Sequence, residues 1–176
     1  MNTGKVCIVG KGKGWDEAPL DSLTWGITQI ILRRPVDRVI DMNDYTLWGP
    51  EEAEEAVRAK ALAEVQGVEY IDRSNYPLED VIDFFGTDYF SNTVDYAIAL
   101  ALFEMFDEIH LYGVTMMMGS DYYFEKPGVD FWCGMALGRR AKVIVHGQYS
   151  TIMRTQNGCL YGYGLPQNLD ERLKKG

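Results

Sequence analysis

The sequence predicts an α/β protein: a single Rossmann-like, doubly wound domain on a mostly parallel sheet, with a small C-terminal extension. Three observations predict it. Short runs rich in Val and Ile recur along the chain, as strands covered on both faces require. Helical segments separate those runs, and strands alternating with helices imply parallel pairing through crossovers. The length of 176 residues suits one domain with a sizeable core. The domain is placed at 1–147, with a Gly/Tyr-rich extension packed on it at 148–176 whose last residues are expected to be mobile.

Each element has its own signal. Strands are expected at 5–10, 36–42, 68–72, 108–114 and 142–146, with a short sixth at 24–27. The helix at 51–66 has Pro50 at its start and Gly67 at its end. Its charged residues, among them Glu51, Glu54, Arg58 and Lys60, suit an outer face; Ala53, Ala56, Val57, Ala61, Leu62 and Val65 suit an inner one. A short helix follows Pro77 at 78–85. The segment 93–106 is apolar almost all round, so it is expected to be a central buried helix. A last helix is expected at 127–139, with Pro127 in its first turn and Phe131, Trp132 and Met135 turned inward.

Composition excludes several classes. The hydrophobic share of 47% rules out disorder by composition. A net charge of −9 argues against nucleic-acid or anionic-membrane partners, because like charges repel. Cys7, Cys133 and Cys159 form no CxxC pair, so neither a disulfide framework nor a zinc site is expected, and no other resident metal is assigned. The opening MNTGK lacks the apolar core of a secretory signal, and the longest apolar run, 97–103, is too short to span a bilayer. A cytoplasmic protein is expected, in the host cytoplasm if the source is a virus, and a homo-oligomer is compatible with the aromatic surface.

The stretch KVCIVGKGKGW carries the first site signal. A strand running into Gly10, Gly12 and Gly14 offers backbone N–H groups near a helix start, where a phosphate is favoured. Lys11 and Lys13 add positive charge. GxGxxG would need a glycine where Trp15 stands, and GxxxxGK[ST] is absent, so this is neither a dinucleotide fingerprint nor a P-loop. A plain strand exit is the other reading. The second signal is Ser91-Asn92-Thr93 ahead of the apolar helix. These residues can cap that helix or offer hydroxyl and amide groups to a ligand there. The carboxyl ends of parallel strands are where such sheets bind ligands.

That second segment, with Tyr96-Ala97-Ile98-Ala99-Leu100-Ala101 and then Phe106 to Val114, resembles a segment shared by a Rossmann-like transferase superfamily. It includes bacterial CMP-sialic-acid sialyltransferases and archaeal hydroxymethylpterin pyrophosphokinase-like proteins. Val9-Gly10-Lys11-Gly12 is similar to that superfamily's Gly-x-Gly-Pro-Ser-Leu loop. The resemblance covers roughly the first two-thirds of the chain, and in style the sequence is also similar to small bacteriophage proteins. It implies the same fold and a nucleotide-activated donor. Lys13-Gly14 stands where the superfamily has Pro-Ser, and Val114-Thr115 where it has an acidic residue. Nucleotide binding survives those changes more readily than catalysis does.

Other candidates are weaker. Asp41 and Asp44 end the strand at 36–42, where an acid can hold a ribose hydroxyl or a phosphate-bridging metal, or simply cap a helix or close an Asx-turn. His146 ends a strand, and Asp121 lies in GSDYYFEKPG; either would be the base in a transferase. Arg33, Arg34, Arg139, Arg140 and Arg154 are possible phosphate partners, and Tyr161 and Tyr163 an aromatic cover for a base. The expected function is therefore binding of a nucleotide or nucleotide-derived metabolite at the carboxyl edge of the sheet. Gly10, Lys11, Gly12 and Lys13 would meet phosphate, Ser91, Asn92 and Thr93 sugar or a second phosphate, and Asp41 a ribose hydroxyl. Magnesium would arrive only with the nucleotide. Such a protein could sequester a host nucleotide immune signal; the alternative is glycosyl- or pyrophosphoryl-transfer from an activated donor.

Overall fold

Side-chain alternation divides the first strand between two cores. In the computed structural model, which describes residues 4–117, 124–155 and 157–167, β1 (Lys5–Val9) sends Val6 and Ile8 to one core and Cys7 and Val9 to the other. All four are fully buried. A strand covered on both faces carries no polar side, which is why its sequence is a continuous apolar run.

Five further strands follow: β2 (Thr24–Ile27), β3 (Arg38–Asp41), β4 (Glu69–Asp72), β5 (Glu108–Tyr112) and β6 (Lys142–Val145). They pair in the order β4-β3-β2-β1-β5-β6, and every pairing is parallel. The chain builds outward from β1 to β4, then returns to place β5 on the other side of β1. That reversal is the topological switch point of a doubly wound sheet. The segment 24–27, expected as a minor sixth strand, is central, between β1 and β3. β1, β3, β5 and β6 end one or two residues short of expectation because the chain turns into loops there, while β4 ends as expected; β3 starts two residues late and β4 one.

Among the described residues four helices cover the faces: α1 (Pro50–Gln66), α2 (Leu78–Phe85), α3 (Thr93–Phe103) and α4 (Lys126–Gly138). The larger core joins α2, α3 and α4 to Ile8, Trp25, Ile40, Ile109 and Leu111, and α1 seals the smaller one. The inner stripe of α1 is Ala56, Ala59 and Ala63, spaced for one helix face, while Val57 is 70% and Val65 85% exposed. Alanines let the helix approach the sheet closely, and the expected valine face is turned to solvent. Within α4, Val129, Trp132, Cys133 and Ala136 are buried, whereas Phe131 is half-exposed. Helix α3 is buried nearly all round, as expected, but stops at Phe103 because Met105 adopts a left-handed φ of 68°.

After β6 the chain folds back. Ile152 enters the larger core, the Met153 N–H donates to Asp130, and Gln167 donates to the Met153 carbonyl. Among the described residues no helix is long and apolar enough to cross a membrane.

Candidate functional site

Four strand exits and one helix start converge on a cavity of about 270 Å³. Gly10, Lys11 and Gly12 follow β1, Ile27 ends β2 and Thr28 follows it, Asn43 follows β3, and Gly113 to Met116 follow β5. Ser91 to Val94 bring the N-terminus of α3, and Trp48 and Glu125 complete the lining. Six expected residues are thereby brought together: Gly10, Lys11, Gly12, Ser91, Asn92 and Thr93.

Their chemistry differs from the expectation. The N–H groups of Gly10 and Gly12 donate inward, to the carbonyls of Tyr112 and Gly113, both at 2.8 Å. Those two amides are spent on the fold rather than open to an anion. The glycines are required by packing: a Cβ on Gly12 would lie 2.6 Å from the Gly113 carbonyl oxygen, and one on Gly10 2.7 Å from it. Of the expected loop donors, Lys11 carries the charge at the cavity. Although Lys11 as a whole is exposed, protein crowds its ammonium closely enough for desolvation to lower its pKa. It donates to Gln29 Oε1 at 2.8 Å. Lys13 does not line the cavity; it donates to the Tyr149 hydroxyl at 2.7 Å.

Ser91 and Asn92 line the cavity with their polar atoms engaged. Asn92 Oδ1 accepts from the N–H groups of Val94 and Asp95, an N-cap. Asn92 Nδ2 donates to the Glu125 carbonyl, and Ser91 Oγ lies 3.0 Å from the same oxygen, which ties the start of α3 to the segment entering α4. Asp95, fully buried, accepts from Ser91 N and Oγ and from Asn92 Nδ2. Burial pushes its carboxyl up to about 6 against those three donors. Thr93 Oγ1 accepts from the Met42 N–H at 3.4 Å.

Asp41 lies elsewhere. It shares the face of Val39, the side of α1, and is 3% exposed. Its carboxylate accepts from the hydroxyls of Tyr45 and Tyr70 and from Asn43. With those partners it lines a second cavity of about 490 Å³ beside α1 and β4, not the first. Asp44 caps a 3-10 turn through Thr46 and pairs with Arg73. Arg34, buried, donates to the carbonyls of Trp15, Ala18 and Pro19, which removes it as a phosphate partner. Arg139 sits over the rings of Phe84 and Phe85.

Of the two weak base candidates, His146 does not line the cavity. His146 packs flat on Tyr112, ring centroids 4.0 Å apart, and shares a 2.8 Å hydrogen bond with His110, itself bonded to Glu108. That bond holds the Glu108 carboxyl below the usual range. Asp121 lies outside the described residues. Tyr161 and Tyr163 are exposed and absent from the lining; among the described residues the aromatic at the cavity is Trp48. Among the described residues no group of three or more His, Cys, Asp or Glu is placed to hold a metal ion.

Sequence reasoning missed Thr28, Asn43 and Trp48. Thr28 follows β2 with φ 54°, a conformation that strains a β-branched side chain. Its hydroxyl is buried with no hydrogen-bond partner among the described residues. Met116, also in the lining, has φ 46°. Backbone strain of this kind gathers at functional sites, where surrounding structure holds it in place.

No family model matches the chain, and no curated protein matches it in sequence. The fold is similar to solved structures of the sialyltransferase CstII from Campylobacter jejuni. The complex with cytidine-5'-monophosphate is 14% identical, covering 84% of this chain and 81% of that one, with a TM-score of 0.41. The complex with a trisaccharide acceptor and CMP is 12% identical, covering 94% and 87%, with a TM-score of 0.42. The likeness concerns the course of the chain and not its ligand.

Proposed function

We propose that the first cavity binds a nucleotide or nucleotide-derived anion and holds it without chemical change. The observation that carries this reading is placement: the cavity opens at the carboxyl edge where strand order reverses, with Lys11 as the cation in its lining. Lys11 meets the phosphate, Trp48 presents an indole face to the base, and Asn43 and Thr28 face the sugar. A volume near the lower end of the usual range, roughly 300 Å³, suits a mononucleotide better than a dinucleotide. Holding is favoured over turnover because the ionisable residues among the described lining are Lys11 and Glu125 alone, with no paired acid and base. A protein that withdraws a host nucleotide signal from circulation needs no more than this.

The test is to incubate the protein with nucleoside mono- and diphosphates, cyclic nucleotides, ADP-ribose and nucleotide sugars, record melting temperatures, then denature it and identify what is released. Stabilisation by one compound, recovered intact and in equal amount to protein, supports the reading. Recovery of a product makes the site a transferase's. No stabilisation by any of them removes both.

A further inference from the structure

A line of hydrogen bonds crosses from the first cavity to the second. Lys11 Nζ donates to Gln29 Oε1 at 2.8 Å, and Gln29 Nε2 donates to the Tyr45 hydroxyl at 2.6 Å. Tyr45 in turn lies 2.8 and 3.0 Å from the two carboxylate oxygens of Asp41. Gln29 and Asp41 are 4% and 3% exposed, so the centre and the far end of the line are shielded from bulk water. We propose that Asp41, acting through Tyr45 and Gln29, is a positioning residue that fixes the Lys11 ammonium at the mouth of the first cavity. The proposal rests on the reading of that cavity as an anion site.

The argument turns on polarity. A phenol has one proton to give, and a carboxylate can only accept. With its oxygen between two carboxylate oxygens, Tyr45 must spend that proton on Asp41. Toward Gln29 it can then only accept, so Gln29 must present its NH₂ group to Tyr45. The amide carbonyl is thereby left facing Lys11, an acceptor matched to a cation. Reversing the line would set the Gln29 NH₂ against the ammonium, donor against donor. A buried carboxylate three bonds away thus decides which end of an amide the lysine meets. Tyr70 and Asn43 also donate to Asp41, so the carboxylate stays satisfied if Tyr45 is lost. Lys11 gives Gln29 one of three N–H donors and keeps two for a ligand. An ammonium already held in place costs less order when the anion arrives.

Tyr45→Phe removes the proton that sets the polarity. Tyr70→Phe removes a hydroxyl from the same carboxylate but off the line, and so controls for general loosening around Asp41. Lysines carrying ¹³C-methyl groups from reductive methylation give a ligand-free readout, with Lys11 assigned by Lys11→Arg. In Tyr45→Phe the Lys11 signal is expected to titrate nearer an ordinary lysine; in Tyr70→Phe it is expected to stay where it is in the parent. Affinity for the nucleoside monophosphate that most stabilises the parent is expected to fall roughly three- to tenfold in Tyr45→Phe, the scale of one neutral hydrogen bond, and less than twofold in Tyr70→Phe. Should Tyr45→Phe fail to fold, Asp41→Asn interrupts the same line and is expected to displace the Lys11 signal. An unmoved Lys11 signal in the folded variant, or equal effects of the two tyrosine changes, overturns the proposal. Failure of every nucleotide to bind the parent overturns the functional reading instead, while the Lys11 signal still reports on the line.

Discussion

Thr28 shows a conflict between fold and site within one residue. It holds a strained left-handed φ and a buried hydroxyl with no partner among the described residues. An unsatisfied buried hydroxyl costs about 1–3 kcal/mol. Thr28→Val keeps the shape and removes that hydroxyl. Its unfolding free energy in urea is expected to rise by about 1 kcal/mol, while nucleotide affinity by calorimetry falls severalfold. Stability gained where binding is lost marks a residue kept for its ligand; a variant that loses stability and keeps affinity contradicts that role. Gly12 offers no such test. A side chain there would push the loop off Gly113, so lost binding would report a displaced loop rather than a lost contact.

At the scale of elements, α3 carries both a core and a site. Asp95 stands in its first turn, fully buried, with its carboxyl raised to about 6 by desolvation from an ordinary value of 3.8. A carboxyl raised on folding binds its proton more tightly in the native state, so stability falls as pH rises between about 4 and 6 and is level above. The span corresponds to about 3 kcal/mol. Asp72, held down to about 2 by Lys60 and Ser74, acts in the opposite sense, its contribution being lost as pH falls below about 4. It is common to parent and variant and cancels in their difference. The stability of Asp95→Asn relative to the parent is therefore expected to climb across pH 4 to 6 and then hold, in denaturant melts at unit pH steps. A flat difference would mean that the donors from Ser91 and Asn92 fully offset burial.

The elements also show what the sequence discloses. Apolar runs and Pro/Gly boundaries mark all six strands and four helices, because burial on two faces and helix ends constrain residue type locally. The site is less legible where it depends on which strands are neighbours. Gly10 and Gly12 look like a phosphate loop in sequence; their need to clear Gly113 exists only because β5 lies beside β1. Asp41 was misplaced for a simpler reason. Alternation along Val39-Ile40-Asp41 already puts it on the face of Val39, away from the cavity, and that parity was readable. Trp48 carries no local signal, since it reaches the cavity through a turn whose direction the sequence does not state.

For the whole molecule, the net charge of −9 sets the terms on which an anion arrives. Lys11 attracts only at short range, whereas the summed charge acts over a Debye length, about 30 Å at 0.01 M salt and about 8 Å at physiological strength. At low salt an approaching nucleotide feels the whole acidic surface; at higher salt it feels chiefly the residues at the mouth. Association rates by stopped flow are therefore expected to rise by about twofold or more between 10 and 150 mM salt, opposite in sign to electrostatic attraction into a basic cleft. Dissociation should quicken over the same range as the contact with Lys11 is screened, so the equilibrium affinity changes less than either rate. In Lys11→Ala the association rate should keep its upward salt dependence, because the repulsion belongs to the whole surface. The dissociation rate should lose most of its own, because the screened contact is gone. An association rate that falls with salt in the parent would mean that the local cations outweigh the global charge at every distance, and the approach to the cavity would have to be drawn differently.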